Sequence, residues 1–473
     1  MIDATLSKPD WVEPREYQHD AVRAWSKNGG RGTFNMATGT GKTVTALLTA
    51  TQAAATLDEI FVIVAVPYQH LVDQWAESVQ DFGIDPVRVY ESRKKWEGLL
   101  QRQLNEFQSG ARDAVVAVVT HTTFASEHFQ RLLSRTNSKT LLVADEMHHL
   151  GAPHLREAFP EHVPLRLGLS ATPERWYDDE GTEALETYFG GIVYEYGLER
   201  AIDNGALCPY YYVPHIVTLT ADETAEYMQL SRRIGRLAGA VQGGIGDADL
   251  QGNTSLKHAL FKRARIVGTA ERKLERLSEL IQHSATVEHT LVYCGDGSVE
   301  VDEVGQETRR HVDATVDLLR TLGIDAERFT ARESQAERER LLNSFECGEL
   351  QALVAIRCLD EGVDIPATKT AYMLASSTNP RQFIQRRGRI LRNHPGKDHA
   401  VVHDFIAVPG SGDLGSLDDE TFDAERSLIR KELQRVSTFA DAAMNHPDAE
   451  VPGIPSGQGS LRELKRLYNL RDM

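Results

Sequence analysis

The sequence predicts an α/β protein with two parallel-sheet domains in tandem, a helical connector between them and a short helical C-terminal extension. Three observations lead to this fold class. Short apolar, β-branched runs alternate with helical patterns, which is typical of parallel sheets buried on both faces. The runs fall into two blocks with a charged stretch between them. The length, 473 residues, leaves room for about two or three domains.

The predicted strands follow one another in chain order. In the first block each apolar run precedes a turn or a helix start, and the runs are residues 32–35, 61–66, 114–120, 140–144 and 165–169. In the second block they are residues 290–294, 351–356, 370–374 and 400–404. We therefore expect a first domain over residues 1–205 and a second domain over residues 286–410.

Residues 206–285 are predicted to form the helical connector. Within them, apolar residues recur at spacings of three and four, which indicates one face of a helix: Tyr227, Leu230, Ile234 and Leu237. Residues 411–473 begin as an acidic linker rich in glycine and serine, and two helical patterns follow, around residues 422–442 and from Ser460. For this extension, docking to a partner and packing onto the protein itself are open alternatives.

The composition restricts the classes of function. With 52 basic and 69 acidic residues, the formal charge is −17, so the chain lacks the domain-wide basic surface of many nucleic-acid binders. No apolar run approaches the roughly 18 residues of a membrane span, and the opening segment lacks the pattern of a signal or transit peptide. The four cysteines are far apart without a CxxC pair. We expect no disulfide framework, no zinc site, no membrane contact and a cytoplasmic location.

A glycine loop between a predicted strand and a predicted helix indicates a nucleotide site. It consists of Ala37, Thr38, Gly39, Thr40, Gly41, Lys42 and Thr43. The two glycines let the backbone approach phosphate oxygens, the helix start offers free N–H groups, and Lys42 can reach the outer phosphates. Thr43 would hold Mg²⁺. Met36 stands where the general pattern has its first glycine, so the motif is a variant, and a plain turn before an alanine-rich helix is the alternative.

Two consecutive carboxylates follow the apolar run 140–144. We expect Asp145 to bind Mg²⁺ through water and Glu146 to orient and deprotonate the attacking water of hydrolysis. An acidic pair that caps the next helix is the alternative. A metal site made of His148, His149 and His154 is a weaker one, because adjacent histidines point apart and no further ligand spacing supports it.

The sequence resembles the first motor domain of superfamily 2 helicases of the DExH branch, through ATGTGKT, DEMHH and then Ser170-Ala-Thr172-Pro173 after a strand. The resemblance implies RecA-like domains, with ATP and Mg²⁺ as cofactors and contacts to ATP from the whole glycine loop. It also implies roles for residues outside these motifs: Arg15 and Gln18 at the adenine, Pro67, Gln69 and Thr120 at nucleic acid, and His148, Ser170 and Thr172 in coupling the two sites.

Ordinary structural explanations exist for several of these residues. Tyr17, Ala21 and Trp25 are spaced as one helix face beside Gln18. A threonine such as Thr120 often caps a helix.

The second block contains a basic helix pattern that begins at Asn379-Pro380. Gln385, Arg389 and Arg392 fall at i, i+4 and i+7, which places them on one helical face, and a solvated basic helix is the alternative. QRRGRILR matches the QxxGRxxR of the family, which assigns Arg389 and Arg392 to the γ-phosphate as arginine fingers. The resemblance also places Gly362 and Asp364 in the family's fifth motif, at the nucleotide.

The resemblance covers about residues 12–408, with the motifs in family order. DExHH, the connector and PGKDHAVVHDF resemble the branch of XPB-like repair helicases and restriction-enzyme motor (Res) subunits. The resemblance implies an ATP-dependent helicase or translocase that acts on nucleic acid, with DNA rather than RNA as the nucleic acid. An ATP-gated clamp that recruits a nuclease or a repair or defence complex is the alternative, because the sequence carries no nuclease signature. A small-molecule kinase would not explain the second block.

Overall fold

The computed structural model describes residues 5–136, 139–173, 178–238, 254–295, 297–300, 308–330, 332–356, 363, 365–375, 380–410, 419–457 and 459–470. The chain divides into two compact units, Met1–Asp203 and Asn204–Met473. Each unit is built around its own parallel sheet.

The first unit contains a seven-stranded sheet in which all paired strands run parallel. The strands are β1 (Arg31–Met36), β2 (Ile60–Val66), β3 (Val87–Val89), β4 (Ala114–Thr120), β5 (Thr140–Ala144), β6 (Leu165–Ser170) and β7 (Ile192–Tyr196), in the order β3-β4-β2-β5-β6-β1-β7. The central strands β2, β4 and β5 are buried along their whole length, as expected for a sheet covered on both faces.

Helices cover this sheet, and the hydrophobic core lies between them and the strands. They span Glu16–Lys27, Lys42–Leu57, Gln69–Asp81, Arg93–Gln108, His121–Phe124, Glu127–Leu133, Pro153–Arg156, Asp179–Phe189 and Leu198–Asp203, with a 3₁₀ helix at Met147–Gly151. Tyr17, Ala21 and Trp25 are all buried, so the predicted helix face is confirmed.

The second unit contains a six-stranded parallel sheet and a small antiparallel pair. Its strands are β8 (Tyr210–Thr218), β9 (Thr290–Tyr293), β10 (Ser298–Glu300), β11 (Thr308–Arg310), β12 (Ala326–Phe329), β13 (Ala352–Ala355), β14 (Thr370–Met373) and β15 (Ala400–Val408). The large sheet has the order β12-β13-β9-β14-β15-β8, and β10 pairs with β11. The helices span Ala221–Ala238, Thr254–Gly268, Glu271–His283, His311–Thr321, Gln335–Glu346, Pro380–Ile390, Asp419–Ala440 and Leu461–Leu467.

All nine predicted strands are present, within a residue or two at their ends except that β15 continues to Val408. The segment predicted as a helical connector is helical over much of its described part, with Tyr227, Leu230 and Ile234 buried. It also contains a strand that the helical interpretation omitted, because β8 pairs with β15 over nine residues, from Tyr210 opposite Ala400 to Thr218 opposite Val408. The domain boundaries drawn at residues 205, 285 and 410 stay predictions.

The long C-terminal helix, Asp419–Ala440, is packed onto the second unit. Ile429, Leu433 and Phe439 are buried, and the Arg435 guanidinium forms an ion pair with Asp404 of β15. Of the two alternatives for this part of the extension, the packed helix is confirmed. The predicted acidic linker lies largely outside the described residues.

The chain after this helix runs beside the open edge of β8. The Met444 N–H donates to the carbonyl of Tyr210 at 2.9 Å. The Asn445 side chain binds both backbone groups of Tyr212, accepting from its N–H at 2.9 Å and donating to its carbonyl at 3.0 Å. The tail thus supplies hydrogen bonds where a further strand would otherwise pair.

No helix within the described residues is long and apolar enough to cross a membrane.

Candidate nucleotide site

The glycine loop follows β1 and leads into the helix Lys42–Leu57, so the predicted strand, loop and helix are present. Gly39 and Gly41 have φ values of 88° and 79°. This left-handed region is costly for other residues, which explains why glycine stands at both positions. The loop therefore brings backbone N–H groups to the positive end of a helix, an arrangement suited to phosphate.

The first helix, Glu16–Lys27, forms hydrogen bonds with the glycine loop and with the helix that follows it. The Tyr17 hydroxyl donates to the carbonyl of Thr40 at 2.7 Å, and the Gln18 amide donates to the Thr45 hydroxyl at 3.2 Å. The Gln18 side-chain oxygen accepts the backbone N–H of Arg15 at 3.0 Å. Both ends of the Gln18 amide thus have protein partners next to the loop. The contact of Arg15 and Gln18 with adenine stays a prediction.

Side chains within the loop are arranged around its interior. Lys42 Nζ donates to the carbonyl of Met36 at 3.2 Å, and the Thr40 hydroxyl donates to the carbonyl of Ala37 at 2.7 Å. The Thr38 residue is 8% exposed, and no described group hydrogen-bonds its hydroxyl. A buried hydroxyl without a protein partner fits a site that a polar ligand completes.

The two carboxylates stand where β5 ends. The Asp145 N–H donates to the carbonyl of Ala65 at 2.8 Å, which continues the pairing of β5 with β2. One carboxylate oxygen of Asp145 accepts the N–H of Glu146 at 3.0 Å, and the other accepts the indole N–H of Trp75 at 2.8 Å. Burial raises the pKa of Asp145, while the Trp75 hydrogen bond and the Lys42 charge act in the opposite direction.

Glu146 turns the chain sharply after the strand. Its φ of 44° lies in the left-handed region, which is unusual for a residue with a side chain and is often found at functional sites. It is the residue before the 3₁₀ helix Met147–Gly151, but its side chain makes no capping hydrogen bond there. The capping alternative for the acidic pair therefore finds no support at Glu146.

A line of polar contacts leads from Glu146 to the end of β6. A Glu146 carboxylate oxygen lies 3.4 Å from His148 Nδ1, which also lies 3.4 Å from the Ser170 hydroxyl. That hydroxyl accepts the N–H of Thr172 at 3.1 Å. His148 and Ser170 are buried. The structure thus brings together Glu146 and the three residues predicted to couple the two sites, whose roles stay predictions.

The histidines near this line form a ring cluster. The His148 and His149 rings lie 4.3 Å apart, and the His121 ring lies 6.2 Å from that of His149. Burial lowers the pKa of His121 to about 3, and His149 acts in the same direction. His154 is exposed. In the part of the chain that the structure describes, no group of three or more His, Cys, Asp or Glu side chains could hold a metal ion.

The residues predicted to contact nucleic acid lie at the ends of two neighbouring strands. Pro67 directly follows β2, Gln69 begins the helix Gln69–Asp81, and Thr120 ends β4. The Thr120 hydroxyl accepts the N–H of Thr123 at 3.3 Å, so it does cap a helix. These residues share the carboxyl edge of the sheet with the glycine loop, Asp145 and Ser170, since all the strands run parallel. Contact with nucleic acid at this edge stays a prediction.

The basic helix of the second unit, Pro380–Ile390, contains Gln385 and Arg389, but Arg392 lies two residues beyond its end. The predicted placement of all three on one helical face is therefore wrong for Arg392. The helix cannot continue towards Pro395, which has no N–H to donate, and Lys397 caps its end, because the ammonium donates to the carbonyls of Ile390 at 2.5 Å and Arg392 at 2.9 Å. These bonds satisfy carbonyls that a continuing helix would use.

Four arginines of this segment, Arg386, Arg387, Arg389 and Arg392, differ in their surroundings. Arg386 donates to the carbonyl of Ala375 at 3.1 Å, and Arg387 donates to that of Thr438 and lies over the ring of Phe439. Those two arginines are buried and bind carbonyls of the second unit, so a fully solvated basic helix is excluded.

Arg389 and Arg392 are the two predicted arginine fingers. Arg389 donates to the carbonyl of Val363 at 2.9 Å. Burial lowers the pKa of Arg392 to about 10. Gln385 is buried, and Gly362 and Asp364 lie outside the described residues.

Two family models match this sequence. The model described as "Type III restriction enzyme, res subunit" matches residues 11–175, and the "Helicase conserved C-terminal domain" matches residues 272–394. The chain belongs to the superfamily 2 helicases of the XPB and Res type. It is thus an ATP-hydrolysing nucleic-acid helicase by family.

Alignments with curated relatives cover most of this chain. It is 28% identical over 421 residues to the "DNA 3'-5' translocase XPB2" of Sulfurisphaera tokodaii, which covers 85% of this chain and 83% of the relative. It is 26% identical to the "DNA 3'-5' helicase XPB" of Kineococcus radiotolerans, covering 96% of this chain and 68% of the relative. The "Putative DNA 3'-5' helicase Rad25" of Haloarcula marismortui is 26% identical, and the chain spans 57% of it.

Solved structures confirm the fold class of two RecA-like domains. The "ATP-dependent Type ISP restriction-modification enzyme LlaBIII bound to DNA" aligns with a TM-score of 0.61 and 16% identity over 98% of this chain, which spans 33% of that enzyme. The Pyrococcus furiosus Hef helicase domain aligns with a TM-score of 0.52 and 20% identity, covering 85% of this chain and 97% of that one.

The residues at the loop fit the Mg²⁺ and ATP that the family implies. The Thr43 hydroxyl and the Asp145 carboxylate are hard oxygen donors of the kind that Mg²⁺ prefers. Gly39, Gly41 and Lys42 are suited to phosphate oxygens. The sequence interpretation missed Trp75, although it stands in the segment that follows β2. The only sequence signal for a role of Trp75 at this site is that an aromatic side chain with an N–H donor stands on a helix beside a strand end.

Proposed function

We propose that the chain is a DNA translocase or helicase that moves along one strand by hydrolysing ATP at the carboxyl edge of the first sheet. The observation that carries the proposal is the line from Glu146 through His148 to Ser170, which starts one residue after Asp145, the carboxylate on which the charge of Lys42 acts. Curated relatives named as acting on DNA support DNA rather than RNA.

The chemistry falls to a few residues of the first unit. Lys42 and the loop N–H groups would hold the phosphates, while Thr43 and Asp145 would hold the hydrated Mg²⁺, which neutralises developing phosphate charge when it is bound. Glu146 would accept a proton from the attacking water. His148 lies between Glu146 and Ser170, so a change at one end of the line alters hydrogen bonding at the other.

Arg389 and Arg392 are proposed to stabilise charge on the transferred phosphoryl group. A planar guanidinium keeps its charge and binds phosphate with two parallel hydrogen bonds. The support is the match of QRRGRILR to the family pattern. Removing such an arginine slows hydrolysis by about 10³- to 10⁵-fold in the enzymes that use one.

Binding to DNA is proposed to depend strongly on salt and on nucleotide. The formal charge of −17 weakens any nonspecific attraction to a polyanion. The Thr120 hydroxyl and the backbone N–H of Gln69 would bind phosphates without reading sequence, while Pro67, which has neither group, is proposed to contact nucleic acid without donating a hydrogen bond. A protein partner, such as a nuclease or a repair or defence complex, belongs to the proposal because the chain carries no nuclease signature that we recognise.

The test is ATPase activity at low salt with single-stranded DNA, duplex DNA and RNA, followed by strand-displacement and triplex-displacement assays. A translocase is expected to displace a triplex strand, and a helicase a duplex strand. Stimulation by RNA alone would contradict the proposal. ATP-dependent DNA binding with neither displacement activity would favour the clamp alternative, to which the named relatives give no specific support. The predicted cytoplasmic location stays a prediction.

A further inference from the structure

Trp75 is buried against the acidic pair of the nucleotide site. It stands on the helix Gln69–Asp81, and its residue is 2% exposed. Its indole N–H donates to one carboxylate oxygen of Asp145 at 2.8 Å. The two residues are 70 positions apart in sequence, so the tertiary fold creates the contact.

The Asp145 carboxylate is held at both oxygens. One oxygen accepts the Trp75 indole N–H, and the other accepts the backbone N–H of Glu146 at 3.0 Å. Two donors at the two ends fix the plane of a carboxylate and leave a lone pair on each oxygen for a further ligand. The orientation of Asp145 is therefore set before any ligand binds.

We propose that Trp75 is a positioning residue that aims Asp145 at the hydrated Mg²⁺ of the bound nucleotide. The inference rests on the proposed function, because it takes Asp145 to be the residue that holds Mg²⁺. Outer-shell donors of this kind orient metal-binding carboxylates, and their loss typically weakens metal affinity by about 10- to 100-fold.

The helix that carries Trp75 is itself held in place. Leu71, Val72 and Val79 bury its inner face. On its outer side Asp73 accepts a hydrogen bond from the Tyr90 hydroxyl at 3.2 Å and lies 3.3 Å from Arg88 of β3. The indole is thus presented to Asp145 by a helix anchored on both sides.

Three variants separate the indole N–H from the bulk of the ring. W75F keeps an aromatic ring and removes the donor. W75H places an imidazole N–H at the same position of the five-membered ring and restores a donor. W25F is the matched control, because Trp25 is also buried in the first unit and donates its indole N–H at 2.9 Å, to the carbonyl of Arg166.

The measurement is the affinity for a fluorescent, non-hydrolysable ATP analogue, by anisotropy, in saturating Mg²⁺ and in EDTA. The ratio of the two affinities reports what Mg²⁺ contributes to binding, without hydrolysis. W75F is expected to lower this ratio by about 10-fold or more and to leave the affinity in EDTA unchanged. W75H is expected to recover much of the ratio, and W25F to match the wild type.

The outcomes are distinguishable. A folded W75F with the wild-type ratio, or an equal loss in W25F, would overturn the positioning role alone. A wild-type chain that does not bind the analogue would overturn the proposed function and this inference with it. If W75F does not fold, NMR of the wild type tests the positioning role through its indole N–H resonances. The Trp75 resonance is assigned by comparison with W75H. Mg²⁺ added to the nucleotide complex should shift the Trp75 signal and leave that of Trp25, and an unmoved Trp75 signal would overturn the role.

Discussion

Arg435 binds Asp404 through two hydrogen bonds in the core of the second unit. Nε donates to one carboxylate oxygen at 2.9 Å, and a terminal nitrogen donates to the other at 3.1 Å. Both side chains are almost wholly buried, and the Tyr212 hydroxyl donates to the same carboxylate at 2.8 Å. The pair joins the C-terminal helix to β15, so the extension is part of the second unit's fold.

Removing Arg435 should destabilise the protein strongly. R435A leaves the Asp404 carboxylate buried without its cation, which costs about 3–5 kcal/mol of unfolding free energy. Urea denaturation followed by far-UV circular dichroism measures the change. R430A is the control, because Arg430 is exposed on the same helix, and it should change stability by at most about 0.5 kcal/mol. Equal losses of unfolding free energy in R435A and R430A would show that the buried ion pair does not contribute more to stability than an exposed arginine.

Stability should fall as the pH drops below about 6.5. His215 and His403 lie 2.9 Å apart in the core of the second unit, and Arg276 lies 3.4 Å from His215. Burial lowers the pKa of His215 to about 2 and that of His403 to about 3, with further lowering by His403 and Arg276 respectively. Between these values and the ordinary pKa near 6.5, the unfolded chain binds more protons, so acid favours unfolding.

Substituting His403 tests this pH dependence. Each buried neutral histidine contributes a slope of up to about 1.4 kcal/mol per pH unit in that range. H403N keeps a side-chain acceptor and should reduce the slope of unfolding free energy between pH 7.5 and 5 by about that amount. H258N, at an exposed position, should leave the slope unchanged. A slope in H403N equal to that of the wild type would contradict the interpretation.

The lysine and the glutamate of the nucleotide site should fail in different ways. K42A should weaken ATP binding, because it removes the ammonium predicted to reach the phosphates. E146Q should keep ATP affinity and lower kcat by about 10²- to 10⁴-fold, the range attributed to a general base. Equilibrium binding and steady-state ATPase assays, both with DNA present, measure the two effects. Wild-type hydrolysis by E146Q would remove Glu146 from the role of base.

The predicted arginine fingers should affect hydrolysis more than binding. R389K and R392K keep a charge but lose the planar fork, so kcat should fall by a larger factor than ATP affinity. R387K is the matched control, because Arg387 binds the carbonyl of Thr438 within the second unit. It should lower the melting temperature without this selective loss of kcat. Equal losses of kcat and affinity in the two finger variants would contradict their assignment.

Sequence patterns predicted local structure well where the pattern itself is local. Nine apolar runs became strands, because a strand buried on both faces must be apolar along its length. Gly39 and Gly41 mark a loop whose positive φ values only glycine adopts easily. The β8 strand was missed because Pro214 and His215 interrupt its apolar run, β3 because it has only three residues, and β12 because Glu327 and Arg328 stand at its centre.

Contacts between distant residues could not be predicted from the sequence. Nothing near Trp75 indicates that its partner is Asp145. Nothing in the pattern of the basic helix indicates that Lys397 folds back to bind the carbonyls of Ile390 and Arg392 at its end. The sequence pattern also gave no way to separate Arg386 and Arg387, which stabilise the fold, from Arg389 and Arg392.

The tail beside β8 has a consequence for self-association. A strand at the border of a sheet offers unpaired N–H and C=O groups to any second copy of the chain, which makes such borders starting points for aggregation. Met444 and Asn445 occupy these groups at Tyr210 and Tyr212, and Pro214, which has no N–H to offer, follows two residues later. A chain truncated after residue 410 would therefore lose the segment that blocks edge-to-edge assembly, and with it the Arg435–Asp404 ion pair.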